Sequence, residues 1–149
     1  KANSCFFYFE VKGDITTAQA QILYDEVKAA GMLDHCEIHS FSTVSLLELA
    51  AVGADLNMGY AVGSVSSVEI DWAVANLKNG TRKVSLAANR SGLTAQHIRD
   101  ARLAGLTVTM WTIANATQLT DALSLRPDGI MTIGGFSVAE AIRTELNTA

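Results

Sequence analysis

One pattern recurs along the chain and constrains its fold more than any other feature. "CFFYFEV" precedes "TTAQAQILYDEVKAAG", "HCEIHSF" precedes "TVSLLELAAVG", and "DLNMGYAVG" precedes "SSVEIDWAVANLKNG". "RKVSLAAN" then precedes "LTAQHIRDARLAG", "LTVTMWTIA" precedes "NATQLTDALSLRPDG", and "GIMTIGG" precedes "FSVAEAIRTEL". Each pair joins a short run rich in β-branched or aromatic residues to an amphipathic stretch, with turn residues between them. That is the signature of a β-α unit. In the first unit Ile22, Leu23, Val27 and Ala30 form one helical stripe, Asp14 or Thr16 is placed to cap the helix, and Gly31 is placed to stop it.

Short connections between such units predict a parallel sheet with helices packed outside it and sequential strands adjacent. A regular succession without a long crossover favours an α/β fold of the (β/α)8 TIM-barrel type over a doubly wound sheet. No Gly-rich turn with a downstream ribose-binding acid supports the latter. A complete barrel has eight units and usually about 250 residues, whereas these 149 residues supply six units. Open edges on strands this apolar are a liability. The expectation is therefore that residues 1–149 are one partial barrel domain, the C-terminal part, completed by an upstream segment or another chain.

Composition narrows the partners. A net charge of −4 and a pI near 5.2 argue against nucleic acid or an anionic membrane surface, both of which ask for a basic face. A mean hydropathy of +0.22 fits a domain with a substantial core, yet every apolar run is interrupted well before the roughly 18 residues of a membrane span. No transmembrane segment is expected, and localisation stays open. Cys5 and Cys36 match no metal or redox spacing and read as buried thiols, with pairing across neighbouring strands as the alternative.

Barrel chemistry sits at the C-terminal ends of strands. Those ends carry Glu10 and Lys12, His39 and Ser40, Tyr60, Asn89 and Arg90, Trp111 and Thr112, and Thr132. Residues two apart on a strand face the same side about 6.5 Å apart, so Glu10 and Lys12 share a face. As a solvated ion pair they would be worth about 0–1 kcal/mol. As functional groups, Glu10 would ligate a hard divalent cation and Lys12 would offset an anionic group such as phosphate. One carboxylate is too few ligands, so further ones are required.

The ordered stretches "FEVKGD", "IHSFS", "LTAQHIRDARLAGLTVTMWTIAN" and "RPDGIMT" resemble the glycerophosphodiester phosphodiesterase family. Its pattern runs from a Glu-x-Lys strand through a Ser-Phe strand end and a strand reaching Trp-Thr to an Asp-Gly-Ile-x-Thr strand. The resemblance implies a (β/α)8 barrel that hydrolyses glycerophosphodiesters to an alcohol and glycerol 3-phosphate with Ca²⁺ or Mg²⁺. It implies Glu10 as a metal ligand, Lys12 as a phosphate contact, Trp111 as a wall of the glycerol pocket, and Phe41 and Ser40 as the Ser-Phe pair beside it. His39, at a strand exit, is a further candidate for substrate contact.

The departures are specific. The family's catalytic histidines and its Glu-x-Asp metal ligands precede the Glu-x-Lys strand and have no counterpart in these residues. Ser42 stands where the family has Asp, Ala114 where it has Asn, and "IGG" follows Thr132 in place of Asp and Pro. His97, on the polar flank of a helix, reads as a solvated residue, and His35 sits at a strand entrance. Tyr24 and Trp72 read as helix packing residues. The competing expectation is a catalytically silent barrel module used for binding a glycerophosphate polymer or for assembly, as in phage virion proteins.

Overall fold

The computed structural model describes residues 6–79 and 82–133. Cys5, the final glycine pair and the stretch "FSVAEAIRTEL", read above as a sixth helix, lie outside them. The strands are β1 (Phe7–Val11), β2 (Cys36–Ser40), β3 (Met58–Val62), β4 (Val84–Asn89), β5 (Thr107–Ile113) and β6 (Gly129–Thr132). Between them run α1 (Thr17–Ala29), α2 (Thr43–Val52), α3 (Ser67–Asn76), α4 (Ala95–Leu103) and α5 (Ala116–Leu125). All strands are parallel and their order in the sheet is sequential, β1 to β6. Residues of β1 and β6 line one cavity, so the sheet curls towards itself. This is a half-barrel built of about six of the units of a TIM-type fold.

Each helix begins where a short polar side chain can serve an unpaired N–H. Thr16, Ser42, Ser66, Thr94 and Asn115 occupy the N-caps of α1 to α5. Thr16 with Gln19 and Ser66 with Glu69 complete reciprocal capping boxes. Thr16, not Asp14, is thus the cap of α1. Gly31 follows that helix at φ +66°, in the left-handed region where Gly carries no Cβ penalty.

The core lies between sheet and helices. Ile38, Met58, Leu86, Val108 and Met110 point outward from the strands against Leu46, Leu49, Ile98 and Leu119 of the helices. Helix α1 buries Ala20 and Val27, while Ile22 is 63% exposed and Ala30 is exposed. The predicted stripe is therefore rotated: the buried side of α1 follows Ala20, Leu23 and Val27, and it packs mainly against α2. Tyr60 also departs from its expected place at the site, because its ring turns outward to pack on Trp72 of α3, with centroids 4.7 Å apart. Burial raises its phenol pKa, with a further push from Glu69.

Buried Arg82 ties two helix ends together. Its guanidinium donates to the carbonyls of Leu77 at the end of α3 and of Ala50 and Gly53 at the end of α2. A cation there meets the negative ends of both helix dipoles. Desolvation lowers its pKa, with Asp55 acting in the opposite sense.

The aromatic run of β1 behaves differently from a core strand. Phe6, Phe7, Tyr8 and Phe9 remain 42–47% exposed, because β1 is the edge of the described sheet and has a neighbour on one side only. No helix of the described residues is long and apolar enough to cross a membrane.

Candidate active site

Parallel register decides which side chains meet inside the curl. Tyr8 lies opposite Glu37 and Glu10 opposite His39; His39 lies opposite Gly59, and Gly59 opposite Ser85. These residues share the inner face. The small residues Gly59, Ala61, Ser85 and Ala87 on β3 and β4 leave that face hollow, and a cavity of about 330 Å³ opens at the strand ends. Glu10, His39, Phe41, Ala87, Trp111 and Thr132 are among its walls.

The aromatic side of the cavity is fixed by a pair of contacts. The Trp111 indole N–H donates to the Ala87 carbonyl at 2.8 Å, and Phe41 meets the indole edge to face with centroids 5.6 Å apart. Phe41 and Trp111 thus stand together, and Glu10 lines the same cavity.

Lys12 lies one residue beyond β1, exposed, and is not part of the cavity wall. The acid–base contacts among the described residues are His39 with Glu37, charged only when the imidazole is protonated, and the ion pair Arg102 with Asp128, so Glu10 and Lys12 are not a salt-bridged couple. Ser40 is buried, and its hydroxyl turns away from the cavity, donating to the Val11 carbonyl at 2.8 Å and accepting from the Ser42 N–H at 3.0 Å. Its position pins β2 to the exit of β1. Ser42 accepts from the Ser45 N–H at 3.1 Å and donates to Asp14 at 2.5 Å. A serine there still caps α2.

Below Glu10, the floor of the cavity holds a buried polar cluster that the sequence reading did not single out. Glu37 is 5% exposed and His39 4%. Glu37 Oε1 accepts from Ser85 Oγ at 2.5 Å and from His39 Nε2. The Tyr8 ring stands edge to face on the imidazole at 5.0 Å. Burial raises the Tyr8 phenol pKa, the Glu37 charge adds to the rise, and the Thr109 hydroxyl offsets part of it. Burial and the same carboxylate push the Cys36 thiol up, so this free cysteine is an inert packing residue. The signal was present in "EIHS": two polar residues two apart in an otherwise apolar strand, the same spacing that drew attention to Glu10 and Lys12.

His35 is exposed near the entrance of β2, as read from the sequence. His97 is not the fully solvated residue expected. It is half-buried beside Asp71 and Asp100 between α3 and α4, and its Nδ1 is enclosed without a partner. Among the described residues no group of three or more His, Cys, Asp or Glu side chains is placed to hold a metal ion.

No protein-family model matches the chain, and no curated protein matches its sequence significantly. Solved structures do. The chain is similar to a glycerophosphodiester phosphodiesterase from Parabacteroides distasonis, at 17% identity and a TM-score of 0.74, over 96% of this chain and 58% of that one. It is similar to an Oleispira antarctica phosphodiesterase solved with its product sn-glycerol-3-phosphate, at 16% identity and a TM-score of 0.67, over 90% and 54%. A glycerophosphodiester phosphodiesterase from Agrobacterium tumefaciens matches at 14% identity and a TM-score of 0.63, over 85% and 52%. The chain thus spans between half and three fifths of the length of these proteins, and over that span it has the barrel fold of the glycerophosphodiester phosphodiesterases that its motifs resemble.

Proposed function

We propose that these residues form six β/α units of a glycerophosphodiester phosphodiesterase-like barrel. Completed by two further units from an upstream segment or another chain, it hydrolyses glycerophosphodiesters to an alcohol and glycerol 3-phosphate. One observation carries the reading: a cavity at the strand exits lined by both the Glu10 carboxylate and the Phe41–Trp111 pair, in a fold shared with those phosphodiesterases.

In this reading the two aromatic rings pack the carbon skeleton of the glycerol, and Lys12 at the rim attracts the phosphoryl charge. Ser40 keeps the rim in shape through Val11. Glu10 is one ligand of a divalent cation, Ca²⁺ or Mg²⁺. The described residues do not make a metal site by themselves, so its other ligands belong to the completing units.

The same observation favours a second reading, a catalytically silent module that binds glycerophosphate groups or serves in assembly. Hydrolysis of glycerophosphocholine by the completed polypeptide, with and without chelator, separates the two. Chelator-sensitive turnover that Glu10→Gln abolishes supports the enzyme. Full activity in Glu10→Gln removes Glu10 from the site, and absence of turnover in the completed wild type leaves the binding module.

A further inference from the structure

We propose that Glu37 is a positioning residue for His39, and that the pair makes the floor of the cavity a selective acceptor for a hydroxyl group of the ligand. The hydroxyl part rests on the glycerophosphate reading above; the positioning part does not.

The imidazole is held on three sides. Glu37 Oε1, already taking the Ser85 hydroxyl at 2.5 Å, accepts from Nε2. Tyr8 stands on the ring at 5.0 Å with the planes 71° apart. Gly59 closes the Cδ2–Nε2 edge so tightly that a Cβ at that residue would lie 2.6 Å from Nε2 and 2.8 Å from Glu37 Oε1. Three different strands, β1, β2 and β3, thus fix one ring, and the ring belongs to the cavity wall.

A carboxylate oxygen accepts hydrogen bonds, so Nε2 carries a ring proton, and in the neutral imidazole the lone pair is then on Nδ1. Among the described residues Nδ1 has no hydrogen-bond partner, nor is it one of their sealed polar atoms. It is left for whatever enters the cavity. The nitrogen itself chooses the ligand group: a lone pair accepts, so it suits an O–H donor and disfavours an ionised phosphoryl oxygen. The hydroxyl end of the ligand is then directed to His39, and the phosphoryl group is left to Lys12 and the Glu10 cation of the reading above. Sites built to pair a ligand hydroxyl discriminate against the analogue lacking it, because the pairing group is left unsatisfied.

Long-range ¹H–¹⁵N NMR of the completed polypeptide reads the tautomer directly. Wild type should show His39 as the Nε2–H form alone. Glu37→Gln, whose amide can either accept or donate, should show a mixture with the fold intact. An Nδ1–H form in wild type, or a single unchanged form in Glu37→Gln, overturns the positioning role. Two probes then test the hydroxyl: sn-glycerol 3-phosphate and n-propyl phosphate, with the Trp111 indole resonance reporting occupancy. Glycerol 3-phosphate should bind about tenfold tighter or more and move Nδ1, and His39→Leu should remove the preference. Equal affinity with Nδ1 unmoved overturns the hydroxyl role while the glycerophosphate reading stands. Silence at Trp111 with both probes defeats that reading and the hydroxyl role with it, and the tautomer result still decides Glu37.

Discussion

Replacing Gly59 by Ala is the sharpest test of how the interior is packed. The added methyl would sit 2.6 Å from His39 Nε2 and 2.8 Å from Glu37 Oε1, distances at which one side must move. Neither has room: both side chains are buried, Glu37 is tied to Ser85, and Tyr8 backs the imidazole. Forcing a methyl into such a site costs about 1–3 kcal/mol in overpacking. Displacing the ring from its carboxylate adds about 1–3 kcal/mol for a buried polar group left unpaired. A loss of about 3 kcal/mol follows, which at a urea m-value of about 2 kcal/mol/M lowers the midpoint by about 1.5 M. Gly63→Ala is the matched control, since a Cβ there meets nothing within 4 Å and the residue is not at positive φ. It should be neutral or stabilising by about 0.4–1 kcal/mol. Equal urea midpoints for the two variants would refute the account of Gly59 as the residue that makes room for the dyad.

Arg82→Met should destabilise the chain by about 3 kcal/mol, read from thermal or urea unfolding, because it leaves the Leu77, Ala50 and Gly53 carbonyls without their donor. A shift below about 0.5 kcal/mol would show that water replaces the guanidinium without loss. The Glu69 carboxyl is held below its ordinary value of 4.5, first by the Ser66 hydroxyl and then by backbone N–H groups. A folded pKa below the unfolded one stabilises above the unfolded value and ceases to do so as pH falls through the folded one. Wild type should accordingly exceed Glu69→Gln by a few tenths of a kcal/mol at pH 7, a small figure because the group is mostly solvated. The gap should close below pH 4.5; a gap that persists into acid would exclude the carboxylate as its source.

Local chemistry explains why most of the architecture could be read in advance. A helix start needs an acceptor for its free N–H groups, and that requirement puts Thr16, Ser42, Ser66, Thr94 and Asn115 where the turns were expected. Strands buried on both faces appear as apolar runs, so β2 to β5 were visible as strands while the direction of each side chain was not. This is how Ser40 and Tyr60 came to be assigned to the strand exits with Phe41 and Trp111. One face of a parallel strand meets helices and the other the barrel interior, and nothing in an unbroken apolar run says which. Polar residues inside such a run do say so. Glu37, His39 and Ser85 have no place against the helices and must face inward, where they can satisfy one another.

The aromatic run of β1 shows the limit of that logic. Burial is not a property of a segment but of what lies beside it, and among the described residues β1 has a partner strand on one side only. Its inner face already takes part in the site, since Tyr8 braces His39 and Glu10 lines the cavity. Its other side presents Phe7 and Phe9, stacked 6.2 Å apart and nearly half exposed. Adjacent exposed aromatics on an unpaired edge are what a sheet carries where more sheet is meant to pack. The strand that delivers Glu10 to the cavity is therefore also the strand along which the proposed completing units would dock. Closure of the barrel and completion of the Glu10 site would then be one structural event rather than two.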